Sequence, residues 1–374
     1  MRAFTIYKLG LGIVVMFIIL NSFSDAKVIA QQTKYTVTEL PTLGGPRSTA
    51  FSINNSGQVV GNAETASRQV HAVLYESRTL IDLGTLGGNE SNAYHISDSC
   101  IIVGRSQNSK GFYRPFVTSC AAESPLVDLG TLNPLLDGSY STASSVNTVG
   151  QVVGYTAVAA GSHQGERRGS FIFSNNRVVD LGTFGGEESI VMDINDAGQI
   201  VGYVSSAPHG TYADHRGFLY GNAKITELGT LGGKLTTPVA INSSGKVVGY
   251  AETSGAVSHA FIYSDGIIKD LGTLPGGNQS LGFGINNHDQ VVGAADVRAG
   301  TLHAFLYSNG VMQDLNDVIP SLSGWILTEA RSINESGQIV GNGILGGQER
   351  GFLLTPISIA GSNKARSATS STMR

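Results

Sequence analysis

The chain has 374 residues, of which 49 are glycine; charged residues make up 14% and the formal net charge is -4. Glycine stands well above its usual ~7% and charge well below the usual ~25%, which excludes a helical bundle or coiled coil. A sequence pI of about 6.1 offers no basic face for nucleic acid, and 41% hydrophobic content at this charge excludes global disorder.

Arg2 and Lys8 precede an apolar run from Leu9 to Leu20, and polar Asn21 and Ser22 follow it. This is the order of a secretory signal peptide. About a dozen apolar residues fall short of the ~20 that span a bilayer, which favours cleavage, after Ala26 or Ala30, over a retained anchor. Residues 1–30 are therefore read as a signal peptide, and the mature chain as secreted, periplasmic or cell-surface. No membrane span is expected after cleavage; an uncleaved signal anchor is the alternative.

Beyond residue 30 the chain repeats. Asp-Leu-Gly-Thr-Leu-Gly-Gly is complete at Asp82 to Gly88, and variant copies begin at Glu39, Asp128, Asp180, Glu227, Asp270 and Asp314. The leading Leu falls at 40, 83, 129, 181, 228, 271 and 315, with spacings of 43, 46, 52, 47, 43 and 44 residues. Two further elements follow in fixed order. One is Ile-Asn-x-x-Gly-Gln-Val-Val-Gly, as at Ile53 to Gly61; the other is a His-Ala-Phe-like triplet, as at His259-Ala260-Phe261, with Arg in the first place at Arg114, Arg216 and Arg350.

Each unit reads as four short strands. In the first, Ala50–Ile53 is strand a, Asn54–Gly57 a turn, Gln58–Gly61 strand b, His71–Tyr75 strand c and Thr79–Leu83 strand d. Four strands in about 45 residues match a β-propeller blade. The seventh unit ends one strand short, and Lys34–Leu40 is a lone d-type strand at the other end of the chain. The expected fold is therefore an all-β seven-bladed β-propeller over residues 31–357, closed by the N-terminal strand completing the last blade, with 358–374 as a flexible tail.

Cys100 and Cys120 are the only cysteines. In an exported protein, with no Cys-x-x-Cys spacing, a disulfide is favoured over a metal site. Aligned on the Ile-Asn element, Cys100 takes the place of Gly57 in the a-to-b turn, while Cys120 lies in the c-to-d turn of the same blade. Both turns open on one face, which favours pairing; a free buried pair is the alternative.

The three motifs together resemble the HAF repeat family of extracellular bacterial proteins over roughly residues 35–355. The resemblance implies export and repetition in a bacterial setting, and it brings no reaction with it. Ser97, where Asn follows Ile elsewhere, departs from the pattern.

Residues recurring in most blades are expected to hold the blades together: the Asp of Asp-Leu-Gly, the Asn of Ile-Asn, the His or Arg opening the triplet. Function is sought where the symmetry breaks. The b-to-c loop is enlarged at Thr156 to Arg168, with His163, Glu166, Arg167 and Arg168, and at Val204 to Arg216, with His209, Tyr212, Asp214, His215 and Arg216. The d-to-a connection is enlarged at Asn133 to Ser145, with Tyr140, and at Asn316 to Ala330, with the only Trp, Trp325. Aromatic and Arg side chains suit a recognition face; ordinary solvated loop variation is the other reading. His163, His209, Asp214 and His215 have the ligand types of a metal site, but no strand spacing enforces one, and neither metal nor cofactor is expected.

These readings converge on an exported, monomeric binding or scaffolding module for an extracytoplasmic protein or glycan. The alternative is a propeller polysaccharide hydrolase or lyase with its site on the loop-rich face. Glu166 and Asp214 are then an acid/base pair, and carboxylates should converge in one pocket.

Overall fold

The computed structural model describes residues 33–121, 124–132, 140–159, 167–206, 214–298 and 300–357. The signal peptide and the tail lie outside them. Strands dominate: among the described residues there are 28, with one 3-10 turn at Leu315–Asp317. Among the described residues no helix is long and apolar enough to cross a membrane.

The strands form five four-stranded sheets and one eight-stranded sheet. The first repeat supplies Gly44–Ile53, Val59–Thr65, Val70–Glu76 and Thr79–Gly84, in the expected a, b, c, d order. The eight-stranded sheet is this run plus the second repeat's, joined by a single parallel pair, Val70 with Glu90. In the last sheet Trp325–Ile333, Ile339–Leu345 and Gln348–Pro356 are completed by Tyr35–Glu39, which runs antiparallel to Gln348–Pro356 from Tyr35 opposite Pro356 to Glu39 opposite Phe352. The N-terminal strand thus occupies the place of a d strand.

Strand a is longer than its hydrophobic core suggests. In three repeats the Gly-Gly pair opens the strand and is not part of a connecting turn. Gly44, Gly87 and Gly232 have φ near +101°, +102° and +107°, and a Cβ on Gly45 would meet the Glu64 carbonyl oxygen at 2.7 Å. Only glycine fits both places.

The third triplet residue builds the core. Phe116, Phe171, Phe218, Phe261, Phe305 and Phe352 are all fully buried. The small middle residue lets the next sheet approach: a Cβ on Gly217 would lie 2.9 Å from Pro238 Cδ. Its backbone N–H donates to a hydroxyl of the following repeat, as Ala72 does to Ser91 Oγ at 2.7 Å and Ala260 to Ser280 Oγ at 2.8 Å.

The Asn of the Ile-Asn element ties neighbouring sheets together. Asn54 Oδ1 accepts from the Ser56 and Gln58 N–H groups, while Nδ2 donates to Gln58 Oε1 at 2.7 Å and to the Ser97 carbonyl of the next repeat at 3.2 Å. All four hydrogen-bonding positions of the buried amide are used, which explains why Asn and not Asp recurs. The same donation to the next sheet is made by Asn147, Asn195, Asn242, Asn286 and Asn334, the last reaching the Asn54 carbonyl at 3.0 Å. Ser97 interrupts the series, and there Ser99 Oγ donates to the Thr148 carbonyl instead.

Candidate functional site

Every a strand carries a register shift at the same place, between Ala50 and Ser52 in the first and between Ala330 and Ser332 in the last. A bulge of this kind turns consecutive side chains to one side. Phe51–Ser52, Tyr94–His95, Met192–Asp193 and Arg331–Ser332 accordingly line one cavity of about 460 Å³, walled by the a strands of all the repeats. That volume lies within the ~300–1,000 Å³ common for ligand sites.

The carboxylates of this cavity are engaged. Asp193 accepts from Ser145 Oγ at 2.6 Å, from its neighbour Ile194 N–H at 2.9 Å and from Ile241 N–H at 2.9 Å, clasping three successive a strands. Burial raises its pKa, and these donors together with His95 pull it down. Asp98 accepts from Asn55, Asp196 from Thr148 and Glu335 from Asn287, each across the boundary between two repeats. His95 Nδ1 faces the Val146 N–H at 3.4 Å, and burial holds the imidazole below its ordinary pKa.

An arginine and tyrosine cluster adjoins the cavity, sharing Tyr94 and Tyr155 with its wall. The Arg105 guanidinium lies 4.6 Å from the Tyr113 ring centre, 5.1 Å from Tyr140 and 5.7 Å from Tyr94, and donates to the Tyr140 hydroxyl. Arg168 lies 5.4 Å from the Tyr140 ring and 5.3 Å from Tyr155. Tyr140 stacks on Tyr155 with centroids 6.1 Å apart, and the Tyr113 hydroxyl donates to Glu90. Burial pushes the Tyr94 and Tyr155 phenols well above their usual range, and that of Tyr203 up to about 12. All three are neutral donors at physiological pH.

The positions explain the grouping. Tyr140 stands just before an a strand, Tyr113 opens one c strand and Arg168 is the second residue of another, and Arg105 and Tyr155 lie on b strands. They gather where the b-to-c and d-to-a connections leave the sheets. Tyr140 and Arg168 were expected on this face. His163, Glu166, His209 and Tyr212 lie outside the described residues; Arg167 opens the strand Arg167–Ser174, its side chain likewise outside them.

The other expected residues make contacts of their own. His215 stacks on Tyr203, centroids 4.3 Å apart, beside exposed Asp214, and burial lowers its pKa. Arg216 turns to Glu227 at 2.9 Å. Trp325 packs its edge against Phe352 and joins a core cluster, so it is half-buried and not a free flat surface. Cys100 and Cys120 form a disulfide with Cα atoms 5.6 Å apart. Among the described residues no three His, Cys, Asp or Glu side chains group as a metal site.

Tyr94, Arg105, Tyr113, Tyr155 and Tyr203 escaped the sequence reading, which sought asymmetry in loop length. The signal lay inside the repeat. The residue after Val-Val-Gly or its variant is Asn62, Arg105, Tyr155, Tyr203, Tyr250, Ala294 and Asn342 in turn, large and polar-aromatic in successive repeats only.

A family model described as "Protein of unknown function (DUF3466)" matches residues 232–355. No curated protein matches the chain. Among solved structures it is similar to a puromycin-hydrolyzing peptidase of Mycobacterium tuberculosis, with TM-score 0.53 and 12% identity over 83% of this chain and 53% of that one. It is similar also to the acylaminoacyl peptidase of Pyrococcus horikoshii, with TM-score 0.50 and 12% identity over 89% and 53%. The chain thus spans about half the length of either peptidase. A third likeness, covering 86% of this chain and 95% of the other at TM-score 0.49 and 12% identity, is to the β-propeller domain of the Trilobed protease from Pyrococcus furiosus. At this identity the likenesses speak to the fold alone, an all-β fold of β-propeller type.

Proposed function

We propose that the chain is an exported, monomeric seven-bladed β-propeller of the HAF repeat type that binds a protein or glycan outside the cytoplasm, without a cofactor. Ring closure is supported by three contacts between the chain's ends: Asn334 to the Asn54 carbonyl, Asn342 Oδ1 with the Ala50 N–H at 2.9 Å, and Arg350 with Glu39. Export is supported by the N-terminal sequence and by the disulfide, a bond at home in oxidising compartments.

The observation that carries the binding reading is the cluster around Tyr140, where aromatic faces and guanidinium groups meet at the edge of the cavity. Hydrolysis would call for a carboxylate poised for proton transfer, whereas Asp98, Asp193, Asp196 and Glu335 are each taken up in joining neighbouring repeats. The test is a screen of the mature chain, residues 31–374, against glycans and envelope proteins. It is repeated with Tyr140→Ala and with segments 160–166 and 207–213 shortened. A ligand lost in these variants, with the fold retained by circular dichroism, supports the reading; ligands indifferent to all of them place recognition elsewhere.

A further inference from the structure

We propose that the cavity holds the free amino terminus of a partner polypeptide, with its ammonium at Asp193, its first carbonyl oxygen on His95 Nε2 and an apolar first side chain against Met192 and Val239. This rests on the binding reading above, in its protein form, and names the part of the partner that is held. The charges of the cavity wall call for a cation. Asp98, Asp193 and Asp196 all lie within electrostatic reach of the His95 ring. Their hydrogen bonds come from neutral N–H and O–H groups, which hold a carboxylate in place without cancelling its charge. Among the described residues no Lys or Arg pairs with any of the three, and the guanidinium on the wall, that of Arg331, is met by Glu329 at 2.8 Å. Asp193 Oδ2 takes only the Ile241 N–H, so it keeps room for a further donor.

His95 selects what accompanies the cation. The Val146 N–H donates to Nδ1 at 3.4 Å, so the neutral ring carries its proton on Nε2. That N–H makes no hydrogen bond among the described residues, and the ring is enclosed by protein except toward the cavity. It calls for an acceptor, which a polyamine lacks and a peptide carbonyl supplies. His95 and Asp193 hold the same place after the bulge in the second and fourth repeats, on either side of Ser145. A ligand residue lying across Ser145 can therefore offer its carbonyl to one and its ammonium to the other. Met192 immediately precedes Asp193, and Val239 holds the same place in the next repeat; both are half-buried on the cavity wall and suit an aliphatic side chain.

Titration calorimetry on the full mature chain tests this with four probes: the tripeptide amide Leu-Ala-Ala, its N-acetyl form, Gly-Ala-Ala amide and spermidine. Asp193→Asn and His95→Ala are compared with Asp265→Asn, in a c-to-d turn outside the cavity wall. Binding of Leu-Ala-Ala amide is the expected result, weakened about tenfold or more by acetylation and by Asp193→Asn, roughly fivefold by His95→Ala, and not by Asp265→Asn. The glycine-first peptide should bind roughly fivefold more weakly, and raising the salt should weaken both. Asp193 also joins three a strands, so thermal melts identify a misfolded variant; acetylation, which leaves the protein untouched, keeps the test decisive in that case. Equal affinity for the free and acetylated peptides overturns the proposal. Spermidine bound as tightly as the peptide, with no loss in His95→Ala, overturns it in favour of a polyamine site. A folded chain that binds no peptide overturns the amino-terminus assignment, and only an empty screen of glycans and envelope proteins as well removes the binding role.

Discussion

Arg350 Nε donates to Glu39 Oε1 at 2.8 Å, joining strands that are 311 residues apart in sequence. The same triplet-to-acid contact is local elsewhere: His71 to Asp82 at 2.9 Å, Arg216 to Glu227 at 2.9 Å, His259 to Asp270 at 2.8 Å. The N-terminal strand therefore reproduces the contacts of a d strand down to this pair. Because Glu39 is nearly half exposed, the pair itself should contribute little, about 0.2–1 kcal/mol in a double-mutant cycle of Arg350→Ala and Glu39→Ala. Deleting residues 31–39 should cost far more, since it removes buried Tyr35 and uncovers Phe352 and Leu354. Urea unfolding of both distinguishes a strand that completes the sheet from one held only by its ion pair. A deletion no worse than the double mutant refutes the first.

The Asn series makes a second prediction. Asn195→Asp removes both Nδ2 donations, to Gln199 and to the Asn242 carbonyl, and leaves buried acceptors facing a carboxylate. It should destabilise by roughly 1–3 kcal/mol per orphaned group. Ser97→Asn adds the missing donor where the series is broken, and should be neutral or stabilising. The disulfide lies in this same repeat and closes a 20-residue separation, which corresponds to about 3 kcal/mol in the chain-entropy account. Thermal melts with and without reductant, in parent and Ser97→Asn, should therefore show a large loss on reduction in the parent and a smaller one where the new Asn ties the sheets. Equal losses would show that the disulfide does not compensate for Ser97.

Much of the fold was legible because a repeat states its own geometry several times. The Asp-Leu-Gly, Ile-Asn and His-Ala-Phe elements each marked a buried contact, and their spacing gave four strands per unit. What stayed hidden depends on one sheet facing the next. The bulge that turns Tyr94 and His95 to the cavity together leaves no mark in composition, and strand a, read from Ala50, opens at Gly44. At the site, loop length pointed to Tyr140 and Arg168, but their partners Arg105 and Tyr155 sit inside regular strands of different repeats. Trp325 was misleading for the converse reason: a lone aromatic in a long connection is also what fills a core edge.

One departure from the repeat is a matched pair across a sheet boundary. A Cβ at Gly57 would lie 3.3 Å from Gln338 Oε1, and one at Gly245 3.1 Å from Gln199 Oε1, so this turn position faces the preceding sheet's Gln. Where Lys246 replaces Gln, Asp289 replaces Gly in the next sheet, and Lys246 Nζ donates to Asp289 Oδ2 at 2.5 Å. Asp289 holds φ +59°, a region that costs a non-glycine residue free energy. Lys246→Gln alone should lower stability by under about 1 kcal/mol, because the pair is partly exposed. The double change Lys246→Gln with Asp289→Gly, which restores the common pattern, should recover or exceed the parent. Chemical denaturation of the three variants decides it; a double variant weaker than Lys246→Gln would contradict the pairing.

Stability should also fall on mild acidification. Burial lowers the native pKa of His95 and of His215 below the ordinary 6.5, so each imidazole is neutral in the fold and protonates more readily in the unfolded chain. The stability linked to these groups is present above pH 6.5 and is lost as pH falls from there through the native values, because protons then bind the unfolded state preferentially. Asp193 acts in the opposite direction: its raised native pKa means a contribution lost as pH climbs from 3.8 through the native value. The clean measurement is a difference. Urea midpoints at pH 7.5 and 5.5 should fall further for the parent than for His95→Gln with His215→Gln, and identical slopes would show that neither imidazole is held neutral.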